Sequence, residues 1–199
     1  MVKWNDHWRL EGKHAFLSPS NYAWQRYDEE KAKAVYINNT RKERGTLEHD
    51  LASRMIKARK RAADTDQAFD LFVNHAIADR MKSEQVLYYS DICFGTADVI
   101  RYDEDTETLY VSDLKTGVSK ASFEQLYAYA ALFCLEYGCK PDKMTFILRI
   151  YQGIGYEEEY LQGKKDVAYI KSLMKTIVKL DKAVSGVIQE LQYVADGVI

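Results

Sequence analysis

Gly95-Thr96-Ala97-Asp98-Val99-Ile100-Arg101-Tyr102, the polar turn Asp103-Glu104-Asp105-Thr106, and Glu107-Thr108-Leu109-Tyr110-Val111-Ser112-Asp113-Leu114-Lys115 form the stretch on which the fold turns. Both arms are rich in β-branched and aromatic residues. Leu109 and Val111 alternate with Tyr110 and Ser112, so the stretch predicts a β-hairpin. If Asp103 pairs with Thr108, the same register sets Asp98 opposite Asp113, with Cβ atoms about 5 Å apart. A slip of one residue destroys that arrangement. Two carboxylates so close repel unless a cation lies between them, and Mg²⁺ or Mn²⁺ takes oxygen ligands of this kind. Lys115 lies two residues past Asp113 and shares its strand face. An ammonium there is placed to orient a water or to stabilise charge building on a phosphorane-like transition state. An isolated Asp-x-Lys is nevertheless more often a solvated ion pair of little worth, so the flanking sequence decides its meaning.

Upstream, residues 85–94 read as a further strand, and residues 40–63 and 66–81 as helices. Leu47, Leu51 and Met55 recur at steps of four, the spacing of a buried stripe. Ser18-Pro19-Ser20-Asn21, followed by Tyr22, Ala23, Trp24 and Tyr27, predicts a helix start. Downstream, residues 119–137 read as a helix stopped by Gly138. Residues 143–151 read as a strand, Gly153-Ile154-Gly155 as a turn, residues 156–161 as its hairpin partner, and residues 165–192 as an amphipathic helix. Val167, Ile170, Met174, Ile177 and Val178 mark a face read as core. The order predicts an α/β (mixed α+β) fold, a mixed sheet flanked by helices. The 199 residues are expected to form one domain, with an N-terminal helical region over 17–81.

The apolar share of 47% is that of a globular chain, and neither a membrane-length apolar run nor a signal-peptide core occurs. The three cysteines, Cys93, Cys134 and Cys139, fit a reducing cytoplasm better than a disulfide framework. A net charge of −2 weighs mildly against a nucleic-acid partner. Local charge matters more than the sum. Lys57, Arg59, Lys60 and Arg61, with Arg41, Lys42 and Arg44 upstream, read equally as a solvated face or as phosphate contacts.

Taken together, Gly95-Thr96-Ala97-Asp98, Asp113-Leu114-Lys115-Thr116-Gly117 and Gln125-Leu126-Tyr127-Ala128-Tyr129 resemble the core motifs of the PD-(D/E)XK nucleases, most closely the RecB-type exonuclease branch. Arg44-Gly45-Thr46-Leu47-Glu48-His49 resembles that branch's Gly-x-x-x-His motif. Leu17-Ser18-Pro19-Ser20 resembles the segment that opens such domains. The five matches stand in the right order over residues 17–129. The resemblance implies a restriction-endonuclease-like core, Asp98 and Asp113 as acidic ligands of Mg²⁺ or Mn²⁺, and Lys115 as catalytic lysine. It further implies His49 as a metal ligand from a helix, the Leu114 carbonyl completing the shell, and Gln125 and Tyr129 supporting the site and contacting the nucleic-acid backbone. Glu48 is the alternative acid, because other branches place a glutamate on this helix. Adjacent helix positions point about 100° apart, so His49 and Glu48 are not expected on one ion.

Some family members hold an iron–sulfur cluster on four cysteines; with three, no cluster is expected here. Also missing are a zinc-type Cys-x-x-Cys pair, a phosphate-binding glycine loop and a serine nucleophile motif. The resemblance implies a metal-dependent deoxyribonuclease, an exonuclease acting on DNA ends or single strands. The expected setting is phage or mobile-element recombination, replication or genome processing in a bacterial cytoplasm. Processivity would come from self-association or from a recombination partner. Two competing readings are a structure-selective or sequence-specific endonuclease on the same fold, and a catalytically idle module that binds nucleic acid or protein.

Overall fold

The computed structural model describes residue 23 and residues 25–195. The chain separates into two compact units, residues 1–44 and 45–199. The elements are α1 (Glu29–Lys57), α2 (Ala68–Ala78), β1 (Lys82–Ser90), β2 (Cys93–Asp103), β3 (Thr108–Lys115), α3 (Glu124–Tyr137), β4 (Thr145–Gln152), β5 (Tyr156–Gln162), α4 (Gly163–Asp166) and α5 (Ala168–Ala195). This is a mixed α/β fold, a five-stranded sheet flanked by helices, as expected.

Within the first unit, Asp28 Oδ1 accepts a hydrogen bond from the Lys31 N–H at 2.7 Å, and Glu29 and Glu30 follow in the first turn of α1. This start joins a side-chain cap to a favourable helix-dipole interaction. The helix start expected at Ser18–Asn21 and the Leu17-Ser18-Pro19-Ser20 motif lie outside the described residues, as do the side chains of Arg41, Lys42 and Arg44.

In the second unit the sheet order is β1-β2-β3-β4-β5. β1, β2 and β3 form an antiparallel meander, β3 and β4 are parallel, and β5 returns antiparallel. Parallel neighbours need a long crossover, and α3 lies within the one between β3 and β4. Central β3 is buried along nearly its whole length, whereas edge β5 is largely exposed. One core layer joins the sheet to α3 and α5 through Leu109, Val111, Leu126, Ala130, Leu148 and Ile170. The other packs α1 and α2 against the opposite face through Ala52, Ile56, Phe72, Val99 and Tyr151. Gly138 caps α3 in the left-handed region at φ 67°, as its position predicts.

Several expectations are corrected. α1 ends at Lys57 instead of residue 63, closed by the Lys60 N–H to Met55 carbonyl bond. Among its described side chains, Gly45, Ala52, Ser53 and Ile56 are the buried positions, while Leu47 and Leu51 are 68% and 50% exposed and Met55 is half-buried. The step-of-four leucine stripe is thus an outer face, because the small residues allow α1 to approach the sheet. Residues 85–94 are not one strand: β1 ends at Ser90 and Asp91-Ile92 turn into β2. α3 starts at Glu124 instead of 119, and the C-terminal helix is broken at Val167. Val167 and Ile170 are buried and Met174 and Ile177 pack on the core, but Val178 is 40% exposed.

Candidate active site

Asp103 pairs with Thr108, and the register continues through Ile100–Val111 to Val99–Ser112. One more step sets Asp98 opposite Asp113, but the ladder has ended there. In its place, Asp98 Oδ2 accepts the Leu114 N–H at 2.9 Å. A carboxylate therefore fills the split between two diverging strands and satisfies a backbone donor that would otherwise lack its ladder partner. The N–H and C=O of one strand residue point to the same neighbour. The Leu114 carbonyl thus faces the same split.

The cause of the split lies in β1 and β2. Ile100 and Ala97 pack in the core layer on the α3 side, whereas Val99 packs in the layer on the α1 side. Strict alternation would put Ala97 with Val99. The two-residue period slips at Asp98, and Glu84, its opposite number in the β1 register, has φ +54°. A left-handed glutamate costs about 1–2 kcal/mol, although the β1–β2 register runs unshifted past it and shifts between Tyr88 and Ser90.

Lys115 Nζ lies 2.9 Å from Asp113 Oδ2 and donates to Gln125 Oε1 at 2.6 Å. Gln125 Nε2 stands 3.4 Å from Tyr129 Oη, which donates to the Thr96 carbonyl at 2.6 Å. Gln125 and Tyr129, four apart on α3, thus tie the lysine to the far arm of the hairpin. His49 Nδ1 sits 3.2 Å from Asp98 Oδ2. Glu48, half-buried, is next to it in α1. The structure therefore gathers His49, Asp98, Asp113, Leu114, Lys115, Gln125 and Tyr129 in one connected cluster.

Two glycines of the sequence motifs acquire a steric reason. A Cβ on Gly45 would stand 2.5 Å from Thr116 Oγ1, and one on Gly95 would stand 3.1 Å from the Tyr129 ring. The first allows α1 to bring His49 beside the loop after Lys115; the second allows the hairpin to lie on α3. Sequence reasoning missed Thr116 as the atom that demands Gly45. It also missed Gln152, whose Nε2 donates to the Gly117 and Ser119 carbonyls at 2.6 and 2.8 Å, and whose Oε1 accepts the Ala121 N–H at 3.2 Å. Gln152 thereby fixes the loop between Lys115 and Gln125. No sequence signal singles it out.

Burial and neighbouring charges set the electrostatics of the carboxylate pair. Asp113 is 3% exposed, and burial, with the Asp98 charge second, pushes its carboxyl up to about 6 against the opposing pull of Lys115. Asp113 Oδ2 is buried, and its close partner is the Lys115 ammonium at 2.9 Å. A buried carboxylate beside a second one offers the oxygen donors that a hard divalent cation takes. The hydrogen bond to Asp98 raises the pKa of His49, opposed by its burial. No cluster of three or more His, Cys, Asp or Glu groups with metal-binding geometry occurs among the described residues; the carboxylates instead contact His49 and Lys115. Cys93, Cys134 and Cys139 are free thiols.

No family model, no curated protein and no solved structure matches this chain. The functional reading therefore rests on the residues of the cluster. Lys57, Arg59, Lys60 and Arg61 are all exposed at and beyond the end of α1. No helix among the described residues is long and apolar enough to cross a membrane.

Proposed function

We propose that this protein is a divalent-metal-dependent deoxyribonuclease of PD-(D/E)XK type, acting as an exonuclease. The observation that carries this reading is the buried Asp113 carboxylate, set beside Asp98 and ion-paired with Lys115 at 2.9 Å. Asp98 and Asp113, with the Leu114 carbonyl and His49, are the groups that would hold Mg²⁺ or Mn²⁺. When bound, the cation supplies Lewis acidity toward the phosphate and lowers the pKa of water.

The chain's own residues do the rest. Gln125 Oε1 holds the Lys115 ammonium at the mouth of the carboxylate pair, where it orients the attacking water and stabilises negative charge on the phosphate. His49 and the Leu114 N–H fix the Asp98 carboxylate so that its second oxygen is presented in one orientation. Tyr129 locks α3 to the hairpin through the Thr96 carbonyl, so the lysine and the carboxylates keep their spacing. The RecB-like motif order supports exonuclease action on DNA ends or single strands, in a phage or mobile element working in a bacterial cytoplasm. Self-association or a recombination partner would supply processivity.

The test is digestion of end-labelled linear and closed circular DNA with Mg²⁺, Mn²⁺ or EDTA, beside Lys115→Ala. Metal-dependent loss of linear DNA that spares circles is expected, with the variant reduced by at least about a hundredfold, the loss seen on removing one transition-state donor. Cutting of circles would select the endonuclease reading. Absence of any cleavage would select the idle binding module.

A further inference from the structure

We propose that the outer face of the β1–β2 hairpin is a stacking platform for unpaired nucleobases, formed by Tyr88 and Phe94. These two residues are direct cross-strand partners and so share a face. They are 46% and 61% exposed, and Val86 and Ile92 beside them are 47% and 44% exposed. A contiguous exposed apolar patch of this kind marks a contact surface.

The platform is rigid. Leu87, on the opposite face, is buried in the core, with Tyr89 and Cys93 packed beside it. The Tyr88 N–H donates to Glu136 Oε2 at 2.8 Å, Ser90 is hydrogen-bonded to Asp181, and Gly95 lies against the Tyr129 ring. Tyr88 Oη donates to Asp91 Oδ1 at 2.8 Å, which fixes its ring while leaving it in solvent. A preordered exposed aromatic loses little freedom on binding.

Position and size select the occupant. Phe94 precedes Asp98 by four residues on β2, about 13 Å at the rise of a strand. That span matches about four stacked nucleotides at ~3.4 Å each. A strand whose scissile phosphate lies at Asp98 and Asp113 and that follows β2 brings its bases to these rings, and every base offers a π-face to an aromatic side chain. Four partly exposed side chains offer on the order of 400 Å². That is well short of the roughly 800 Å² per partner that a stable dimer buries. Bases paired in a duplex are already stacked on each other, so the platform favours a single-stranded or frayed end. The proposal rests on the nuclease reading only for the position of the phosphate.

The test separates binding from cleavage. Anisotropy of the full chain in EDTA is measured with a labelled deoxyadenylate dodecamer, with an abasic dodecamer of the same charge, and with a blunt duplex. The base-bearing single strand is expected to bind roughly tenfold or more tighter than the abasic strand. Phe94→Leu and Tyr88→Leu, which keep apolar bulk, should each lose about five- to a hundredfold on the base-bearing strand and nothing on the abasic one. Phe94→Trp should keep the affinity, with its indole emission quenched. Equal binding of the two strands, no binding of either, or unaltered leucine variants would overturn the platform. So would a wild-type dimer that the leucine variants dissociate. Base-dependent binding without metal-dependent cleavage would sink the catalytic reading and leave the platform standing; cleavage without base dependence would do the reverse.

Discussion

At the residue scale, Asp113 pairs chemical usefulness with a cost to the metal-free fold. Its carboxyl is pushed up to about 6 by burial first and by Asp98 second. A folded pKa above the unfolded one makes the ionised form a liability. The penalty is complete above about pH 6 and disappears as pH falls toward the unfolded value of 3.8. His49, whose pKa is raised, acts in the same sense: its stabilisation is present below 6.5 and lost as pH rises through its folded pKa. His75, lowered by burial and Arg149, acts oppositely. Asp113→Asn isolates the first effect. In EDTA at alkaline pH it should unfold in urea with about 1–3 kcal/mol more stability than the wild type, following the size of the shift. The gap should narrow on acidification toward pH 4. A gap that widens on acidification, or a less stable variant at alkaline pH, would refute the burial account. The Asp-x-Lys text makes these residues visible in the sequence, but the burial of Asp113 is a consequence of packing.

At the element scale, the site depends on two departures from regular geometry. α1 approaches the loop after β3 only because residue 45 has no side chain. Gly45→Ala should displace α1, moving His49 from Asp98, and lower both melting temperature and cleavage. Thr116→Ala in the same chain removes the Oγ1 that obstructs the new methyl and should recover much of both. A double-mutant cycle with no coupling would place the fault elsewhere. The left-handed backbone of Glu84 is the second departure. Glu84→Gly should raise stability by about 1 kcal/mol, because glycine adopts a positive φ without the steric penalty. Thermal melts at one pH check it; a lower melting temperature would mean that the glutamate side chain contributes more than the strain costs. Hydrophobic periodicity predicts where helices and strands run but carries no term for such contacts. That is why Leu47 and Leu51 look like core and are exposed, while Gly45, Ala52 and Ser53 do the packing.

At the scale of the whole molecule, metal binding and folding are expected to be linked. A cation that binds only the folded carboxylate pair stabilises by about 2.7 kcal/mol at a hundred times its Kd, a rise of roughly 5–10 °C for a chain of this size. Mg²⁺ or Mn²⁺ should produce this shift at neutral pH in the wild type and not in Asp113→Asn; equal shifts in both would show that the ion binds elsewhere. The mixed fold was legible in the sequence, because alternation, turn residues and the Gly138 stop are local signals; the Asp103–Thr108 pairing was a condition that the sequence left open and the structure meets. His49, Asp98, Asp113, Lys115, Gln125 and Tyr129 were singled out by the resemblance of residues 44–129 to family motifs; spacing by itself shows only that Asp113 shares a face with Lys115, and Gln125 with Tyr129. Tertiary structure alone decided the rest. It parted β2 from β3 so that Asp98 accepts the Leu114 N–H, assigned Gln152 to the loop beyond Lys115, and left Tyr88 and Phe94 in solvent. Each of these is set by contacts between residues distant in sequence, whose free energies depend on distance and burial, and neither quantity is written in the order of the residues.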